Sequence, residues 1–272
     1  MSVVNGNPDD SVTALLACPK CKTDLFYENS CYRCSSCGNG YPVVNEIPQF
    51  AMAQENYQED PDGIAFRKRY EWQYNDIRDA AKYDESFRKS RRKRQRTSRE
   101  LSIVEAMLSR QGKCRTILDV PCGGGRLSGP ISNKTQVLIE ADISPAQIHL
   151  ALSQNLGNQR GMMISALALP FENEALDGSV CARLSHHLPD PAERELLISE
   201  LMRVSSRFCI FSFTDRDSIQ SFGRKLRGKK LNPCSMSVDE ISSVVKVNGG
   251  KVDDIMTVSS IGPRHRWALI SK

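Results

Sequence analysis

Two Cys-x-x-Cys pairs, Cys18-Pro19-Lys20-Cys21 and Cys34-Ser35-Ser36-Cys37, stand twelve residues apart near the start of the chain. Thiolates at that spacing on a tight turn can share one ion. Two such turns complete a tetrahedral sulfur shell suited to zinc, with no open position for catalysis. Cys31 leaves an alternative second pair, Cys31/Cys34, but Cys34/Cys37 followed by Gly38 fits the knuckle pattern better. A second stretch with chemical content is Leu118–Arg126, an aspartate-bearing strand end followed by Pro121, Cys122 and three glycines. Glycines there let backbone N–H groups approach a ligand without Cβ obstruction. Asp142 ends the next apolar run, where an acid can accept both hydroxyls of a ribose. His186 and His187 follow a later apolar run, and Asp215 follows another. One of these three can serve as a base or orient a substrate, or the two histidines can hydrogen-bond locally to fix their loop.

The elements that must hold these residues alternate. Strands are expected near 115–120, 136–141, 161–165, 178–184 and 207–213, with helices near 126–133, 145–155, 191–204 and 236–247. Leu101, Ile103, Val104, Met107 and Leu108 give a further helical face behind a Ser98 cap. Ser144-Pro145 is an N-cap followed by proline at the first helical position, and Gly249-Gly250 is a helix stop. Strands near 251–259 and 265–271 have no room for a crossover helix between them and should pair as a hairpin. The rhythm implies a three-layer α/β fold.

The ligand can be narrowed from the residues. A dinucleotide site would favour a third fingerprint glycine where the chain has Ser128, and Asp119 is awkward beside a pyrophosphate but suits a cationic amino-acid group. That contrast favours S-adenosylmethionine over NAD.

Residues 80–215 resemble a class I S-adenosylmethionine-dependent methyltransferase, of the type 11-like branch. Ala80–Asp84 is similar to its pre-domain segment, Leu118–Arg126 to its first motif and Ile139–Pro145 to its ribose-binding acid and following helix. Leu167–Phe171 is similar to its adenine loop, and Asp177–Leu188 to its fourth strand ending in paired histidines. The resemblance implies a Rossmann-like seven-stranded mixed sheet ending in an antiparallel hairpin. It also implies cofactor contacts from Tyr83, Asp119, Pro121, Gly123, Gly125 and Asp142, and from Ile143, Ser165, Ala166, Leu167 and Leu184. Ser165 stands where the family commonly has an aspartate for the adenine amino group, which puts adenine affinity in question. Residues 15–50 resemble the small zinc ribbons found in front of some methyltransferases and in a tRNA-methyltransferase activator protein. Related ribbon enzymes methylate ribosomal-RNA bases, although the Asn-Pro-Pro-Tyr signature of exocyclic amino methylation is absent here.

Three segments are therefore expected: a ribbon at 10–50, an aromatic and basic helical connector at 51–97 and the cofactor-binding domain at 98–272. Residues 10–50 are too few for an independent core, so a metal would supply on the order of 10 kcal/mol of their folding free energy. The chain has 272 residues and a net charge of +5, but Arg88, Lys89, Arg91, Arg92, Lys93, Arg94, Arg96 and Arg99 crowd together. Arg224, Lys225, Arg227, Lys229 and Lys230 form a second group. The first run can meet RNA or another phosphate-bearing ligand, or serve as a solvated helix face. No apolar run is long enough to span a bilayer, and the ten cysteines are placed for one metal site plus buried thiols. A cytoplasmic enzyme acting on an unidentified small-molecule or RNA acceptor is the expected reading. Its alternative is an inactive RNA-binding or protein-interaction module on the same fold.

Overall fold

The structure is a computed structural model that describes residues 10–51, 90–218, 226–228, 232–258 and 265–272. Tyr83, the 80–84 segment, most of the connector, Arg88, Lys89 and all but Arg227 of the second basic group lie outside them.

After a single helical turn, α1 (Asp10–Thr13), the ribbon is a four-stranded antiparallel sheet in sequential order: β1 (Leu25–Glu28), β2 (Cys31–Cys34), β3 (Gly40–Val44) and β4 (Ile47–Pro48). Asn29-Ser30 and Asn45-Glu46 hold positive φ at both central positions, the two-residue turn that matches strand twist.

Helix α2 (Arg91–Ser109) leads into β5 (Cys114–Asp119), α3 (Ser128–Ser132), β6 (Thr135–Asp142), α4 (Pro145–Leu152), β7 (Gln159–Met163) and β8 (Leu176–Cys181). Then come α5 (Pro191–Val204), β9 (Ser205–Thr214), α6 (Val238–Val247), β10 (Lys251–Thr257) and β11 (His265–Ser271). The seven strands form one sheet in the order β10-β11-β9-β8-β5-β6-β7. Strands β7, β6, β5, β8 and β9 are parallel, and β11 and β10 close the sheet antiparallel, as the hairpin argument requires.

Period-two alternation sends neighbouring residues of each strand to opposite layers. Leu118, Ile139 and Phe211 meet α5 and α6 through Leu197, Leu201, Ile241 and Val245. Ile117, Leu138 and Val180 meet α2 and α3 through Val104, Met107, Leu108 and Ile131. The first layer also includes Leu16, Cys18, Tyr32, Tyr41 and Phe50, so the ribbon has no separate core.

Two local expectations are corrected. Helix α2 is capped by Ser90, whose hydroxyl accepts from Lys93 N at 3.2 Å, and Ser98 lies inside the helix rather than at its cap. The straight-chain basic residues Arg91–Arg96 have good helix propensity, so the helix continues upstream of the apolar face. Strand β8 stops at Cys181 because Arg183 takes φ +58°, which moves Leu184 out of the strand. Ser144, with Pro145 behind it, caps α4 as expected. Gly249 at φ +78° ends α6.

Candidate functional site

The four knuckle cysteines converge. Their sulfurs all lie within 4.8 Å of one another, with Cys21–Cys34 at 3.4 Å and Cys18–Cys37 at 3.7 Å. Each knuckle closes the same way: Lys22 N donates to Cys18 O at 2.8 Å, and Gly38 N to Cys34 O at 3.1 Å. Both Lys22 and Gly38 take positive φ. Cys37 N also donates to Cys34 Sγ at 3.3 Å, and this bond above all pulls the Cys34 thiol down to about 5, favouring the thiolate a metal needs. Cys31 stands outside the cluster, its thiol directed at Tyr32 O at 3.6 Å, whereas Cys34 and Cys37 both lie in it. Four converging thiols fit a closed tetrahedral ion of the zinc type.

The second assembly forms at the carboxyl ends of β5, β6 and β7. Asp119 ends β5 and Asp142 ends β6. The turn after Asp119 is stitched to β6: Cys122 N donates to Ala141 O at 2.8 Å, and Gly123 N donates to Asp142 Oδ2 at 3.1 Å. Asp142 Oδ1 accepts from Ser144 N at 3.0 Å. Burial pushes the Asp142 carboxyl up to about 6, while these backbone donors work in the opposite direction. Gly125, at φ +78°, sits so close to α4 that a Cβ there would lie 2.9 Å from Ala151 Cα. The turn is further pinned by Gln154 Nε2, which donates to Gly125 O at 2.6 Å and Gly124 O at 3.2 Å.

Asp119 is 1% exposed, and neither carboxylate oxygen has a hydrogen-bond partner among the described residues. It pairs in register with the buried Glu140 of β6. Burial first, then Glu140 and Asp142, push its pKa well up, against the pull of Arg126. An unsatisfied buried acid beneath a glycine turn is a costly feature for a protein alone, and fits a cationic ligand group.

The wall beside Asp142 follows β7. Ile164 N donates to Asp142 O at 3.0 Å, and Ser165–Ala168 make a turn in which Ala168 N donates to Ser165 O at 3.0 Å. Pro121, Gly123, Ile143, Ser165 and Leu167 are partly exposed around this edge, as is Leu184, while Gly125 and Ala166 are buried.

On the other side of the glycine turn, buried Glu100 of α2 gathers three arginines. Arg183 Nη2 donates to both carboxylate oxygens at 2.7 and 2.8 Å, Arg126 Nη1 to Oε2 at 2.7 Å and Arg96 Nε to Oε1 at 3.2 Å. Burial acts to raise the Glu100 pKa, but Arg126, Arg183 and Arg96 outweigh it and hold the group below its ordinary value. Neither Glu100 nor Gln154 stands out in the sequence.

His186 and His187 lie on a short 3-10 turn, Ser185–His187, with ring centroids 4.1 Å apart. His265, at the start of β11, reaches them because β11 runs antiparallel to β9, with His265 opposite Thr214; its ring is 5.5 Å from that of His186. Burial, then its histidine neighbours and Arg183, push His186 down to about 2, and burial with Arg96 and Arg183 pushes His265 to about 4. Burial also lowers His187. The cluster is thus neutral at physiological pH. Asp215 is fully buried, accepts from Asp217 N at 3.0 Å and lies 3.0 Å from Arg266 Nη2, so its carboxylate is engaged in an ion pair.

Residues 117–207 match the family model described as a methyltransferase domain. None of the curated proteins compared with the chain matches it. Among solved structures, the magnesium protoporphyrin IX methyltransferase ChlM of Synechocystis PCC 6803, with bound SAH, is similar at a TM-score of 0.61 and 16% identity, covering 76% of this chain and 99% of that one. The N-methyltransferase NodS of Bradyrhizobium japonicum WM9 is similar at 0.52 and 12% identity, covering 65% and 96%. The (4+2) cyclase SpnF is similar at 0.51 and 12% identity, covering 64% and 80%. At these identities the likeness is one of fold, and a cyclase among them illustrates that one fold carries several chemistries.

Protein purified without chelator should carry about one zinc per chain by elemental analysis. Cys31→Ser should leave that content unchanged, and Cys34→Ser should lower it below about 0.3; the reverse pattern would return Cys31 to the site. For Glu100→Gln, loss of the buried anion should cost about 2–4 kcal/mol of unfolding free energy at neutral pH. Because the folded-state pKa of Glu100 is depressed, its contribution is complete above the ordinary carboxylate range and disappears as pH falls through the folded value, from about pH 4 downward. Denaturant curves of wild type and variant should therefore converge at acid pH; a gap independent of pH would remove the electrostatic role.

Proposed function

We propose that this chain, which carries a methyltransferase domain of the S-adenosylmethionine-dependent type, moves a methyl group to an acceptor arriving beside His186 and His187. The observation that carries the reading is the buried Asp119, which has no hydrogen-bond partner among the described residues, next to a glycine turn tied to Asp142. A cofactor with one cationic amino-acid end and one ribose would satisfy both acids at once. Asp119 would take the ammonium, with Gly123 and Gly125 allowing close approach of the backbone. Asp142 would accept the ribose hydroxyls on lone pairs left by Gly123 N and Ser144 N. Adenine would lie between Ile143 and the Ser165–Leu167 turn, and Pro121 and Leu184 would close the methionine side.

Serine at position 165 changes how adenine is read. Its Oγ accepts from Leu167 N at 3.4 Å, and its short, neutral side chain offers no carboxylate to an amino group. Recognition of the adenine edge then falls to backbone groups of the turn.

S-adenosylmethionine, when bound, supplies an electrophilic methyl on a sulfonium. The protein's work is to align the acceptor and exclude water. The neutral His186 and His187 suit that work, because imidazoles held unprotonated accept hydrogen bonds from a hydroxyl or amine. His187 is the less depressed by charge and is our candidate for proton acceptance. Asp215, fully buried and engaged by Arg266, would act only by holding the end of β9 in place. The exposed basic residues Arg91, Arg92, Lys93, Arg96 and Arg99 of α2 favour an acceptor that carries phosphate or carboxylate groups.

A labelled-methyl screen against separated RNA, protein and metabolite fractions tests the activity; tight cofactor binding with no transfer to any fraction would support an inactive module instead. In calorimetry, S-adenosylhomocysteine should bind about tenfold more weakly at pH 5 than at pH 7, because the Asp142 carboxyl protonates near 6. Asp119, pushed up by burial, acts in the same direction. Asp142→Ala should lose most binding at both pH values. Wild-type affinity in that variant would remove Asp142 from the ribose role.

A further inference from the structure

The metal-binding ribbon and the wall beside Asp142 are not separate structures. Leu15–Ala17, immediately before the first knuckle, run antiparallel to Pro170–Glu172: Ala17 N donates to Pro170 O at 3.1 Å and Glu172 N to Leu15 O at 3.0 Å. Lys22, immediately after the knuckle, reaches the same segment from the other side. Its Nζ donates to Leu169 O at 3.2 Å and to Glu200 Oε2 at 2.9 Å, and Glu200 Oε2 in turn accepts from Leu169 N at 2.8 Å. Lys22 can do this because the knuckle holds it at φ +59°.

The far end of the ribbon grips the start of the wall. Phe50 N and Ala51 N both donate to Met163 O, at 2.8 and 2.9 Å, and Gln49 bridges Met163 in parallel. Ile47 of β4 packs with Cys122 of the glycine turn and with Ile148 and Ala151 of α4. The stretch 163–172 is therefore clasped at both ends by ribbon backbone, and the residues of one clasp flank the Cys18–Cys21 turn on both sides.

We propose that the ribbon is a working part of the cofactor site: an ion on its cysteines sets the shape of the 18–22 turn, and that turn sets the position of the 163–172 wall and hence the affinity for the cofactor. This rests on the reading of Ser165–Leu167 as the adenine wall. The physical link is short. A four-thiolate ion orders the knuckle; the knuckle aims Lys22 and aligns Leu15–Ala17; and these hold Leu169 to Glu172 by main-chain bonds. Loss of the ion frees a segment whose apolar side chains are already committed to the shared core, so the expected result is a loosened wall rather than a detached ribbon.

The test uses the zinc-loaded full chain, the same chain stripped with a mercurial thiol reagent and chelator, and the substitutions Lys22→Met and Lys20→Met, the latter an exposed lysine of the same knuckle. Zinc content, S-adenosylhomocysteine affinity by calorimetry and amide exchange are measured on each. Stripping should weaken binding about tenfold or more and speed exchange over 163–172, while the central strands β5 and β9 stay protected. Lys22→Met should keep its zinc, bind about three- to tenfold more weakly and loosen the same amides, as expected for losing a charge-assisted bond. Lys20→Met should match wild type. If Lys22→Met keeps its zinc and matches wild type in both binding and exchange, the proposal is overturned, even where stripping unfolds the chain. If the loaded wild type binds no S-adenosylhomocysteine, the cofactor reading falls instead, and exchange over 163–172 alone decides whether the ribbon sets the wall.

Discussion

The carboxylate of Asp142 is the constraint around which the rest of this site is arranged. It is 2% exposed at the end of β6, and its two oxygens are satisfied by main-chain donors from two different segments, Gly123 N and Ser144 N. A buried acid must find such donors or be neutralised. Meeting that requirement draws the glycine turn after β5 onto the end of β6 and fixes the entry to α4. Asp142 also lends its own carbonyl to Ile164 N, which brings in the segment after β7. One residue therefore ties three successive strand ends into a single rim, on the edge of a parallel sheet where ligands bind.

That rim is carried by two unequal layers. The layer of α2 and α3 is built from helices alone, whereas the opposite layer combines α5, α6 and the ribbon's aromatic residues Tyr32, Tyr41 and Phe50. A ribbon of this size buries too little apolar surface to hold itself together. Here it solves the problem twice, by bringing four thiols to one point and by lending its apolar face to a core already present. The second solution has a consequence for the first: the residues flanking the Cys18–Cys21 turn hold the Leu169–Glu172 backbone, which continues the rim beside Asp142.

Charge is divided across the rim. On the β5–β6 side the buried acids Asp119, Glu140 and Asp142 lie on adjacent strands, and each has its pKa raised by burial. On the α2 side Glu100 collects Arg96, Arg126 and Arg183, and His186 and His265 are kept neutral by burial first and also by Arg96 and Arg183. A cation would be welcome at the first place and a neutral or anionic group at the second. Arg126 belongs to both, since it leaves the glycine turn to reach Glu100 and still pulls down on Asp119.

Much of this was legible in the sequence, for local reasons. Paired cysteines at knuckle spacing, a glycine turn after an acid-tipped strand, proline behind a serine cap and alternating apolar runs each act over a few residues, so the type and order of the elements and the position of Asp119 and Asp142 could be read directly. The start of α2 could not, because Arg91–Arg96 extend the helix by propensity without an apolar signal. Nor could the Glu100 hub, the meeting of His265 with His186, the pin from Gln154 or the clasp of Lys22 on Leu169. Each joins residues from distant parts of the chain, up to 147 positions apart for Lys22 and Leu169. By itself the sequence determined which segments fold, and where the acid-tipped glycine turn and the paired cysteines stand, because periodicity and motif spacing are properties of neighbours. Only the tertiary structure decided which buried acids go unpartnered, which cations surround Glu100 and that the two sites share a wall, because strand order and layer packing set those contacts.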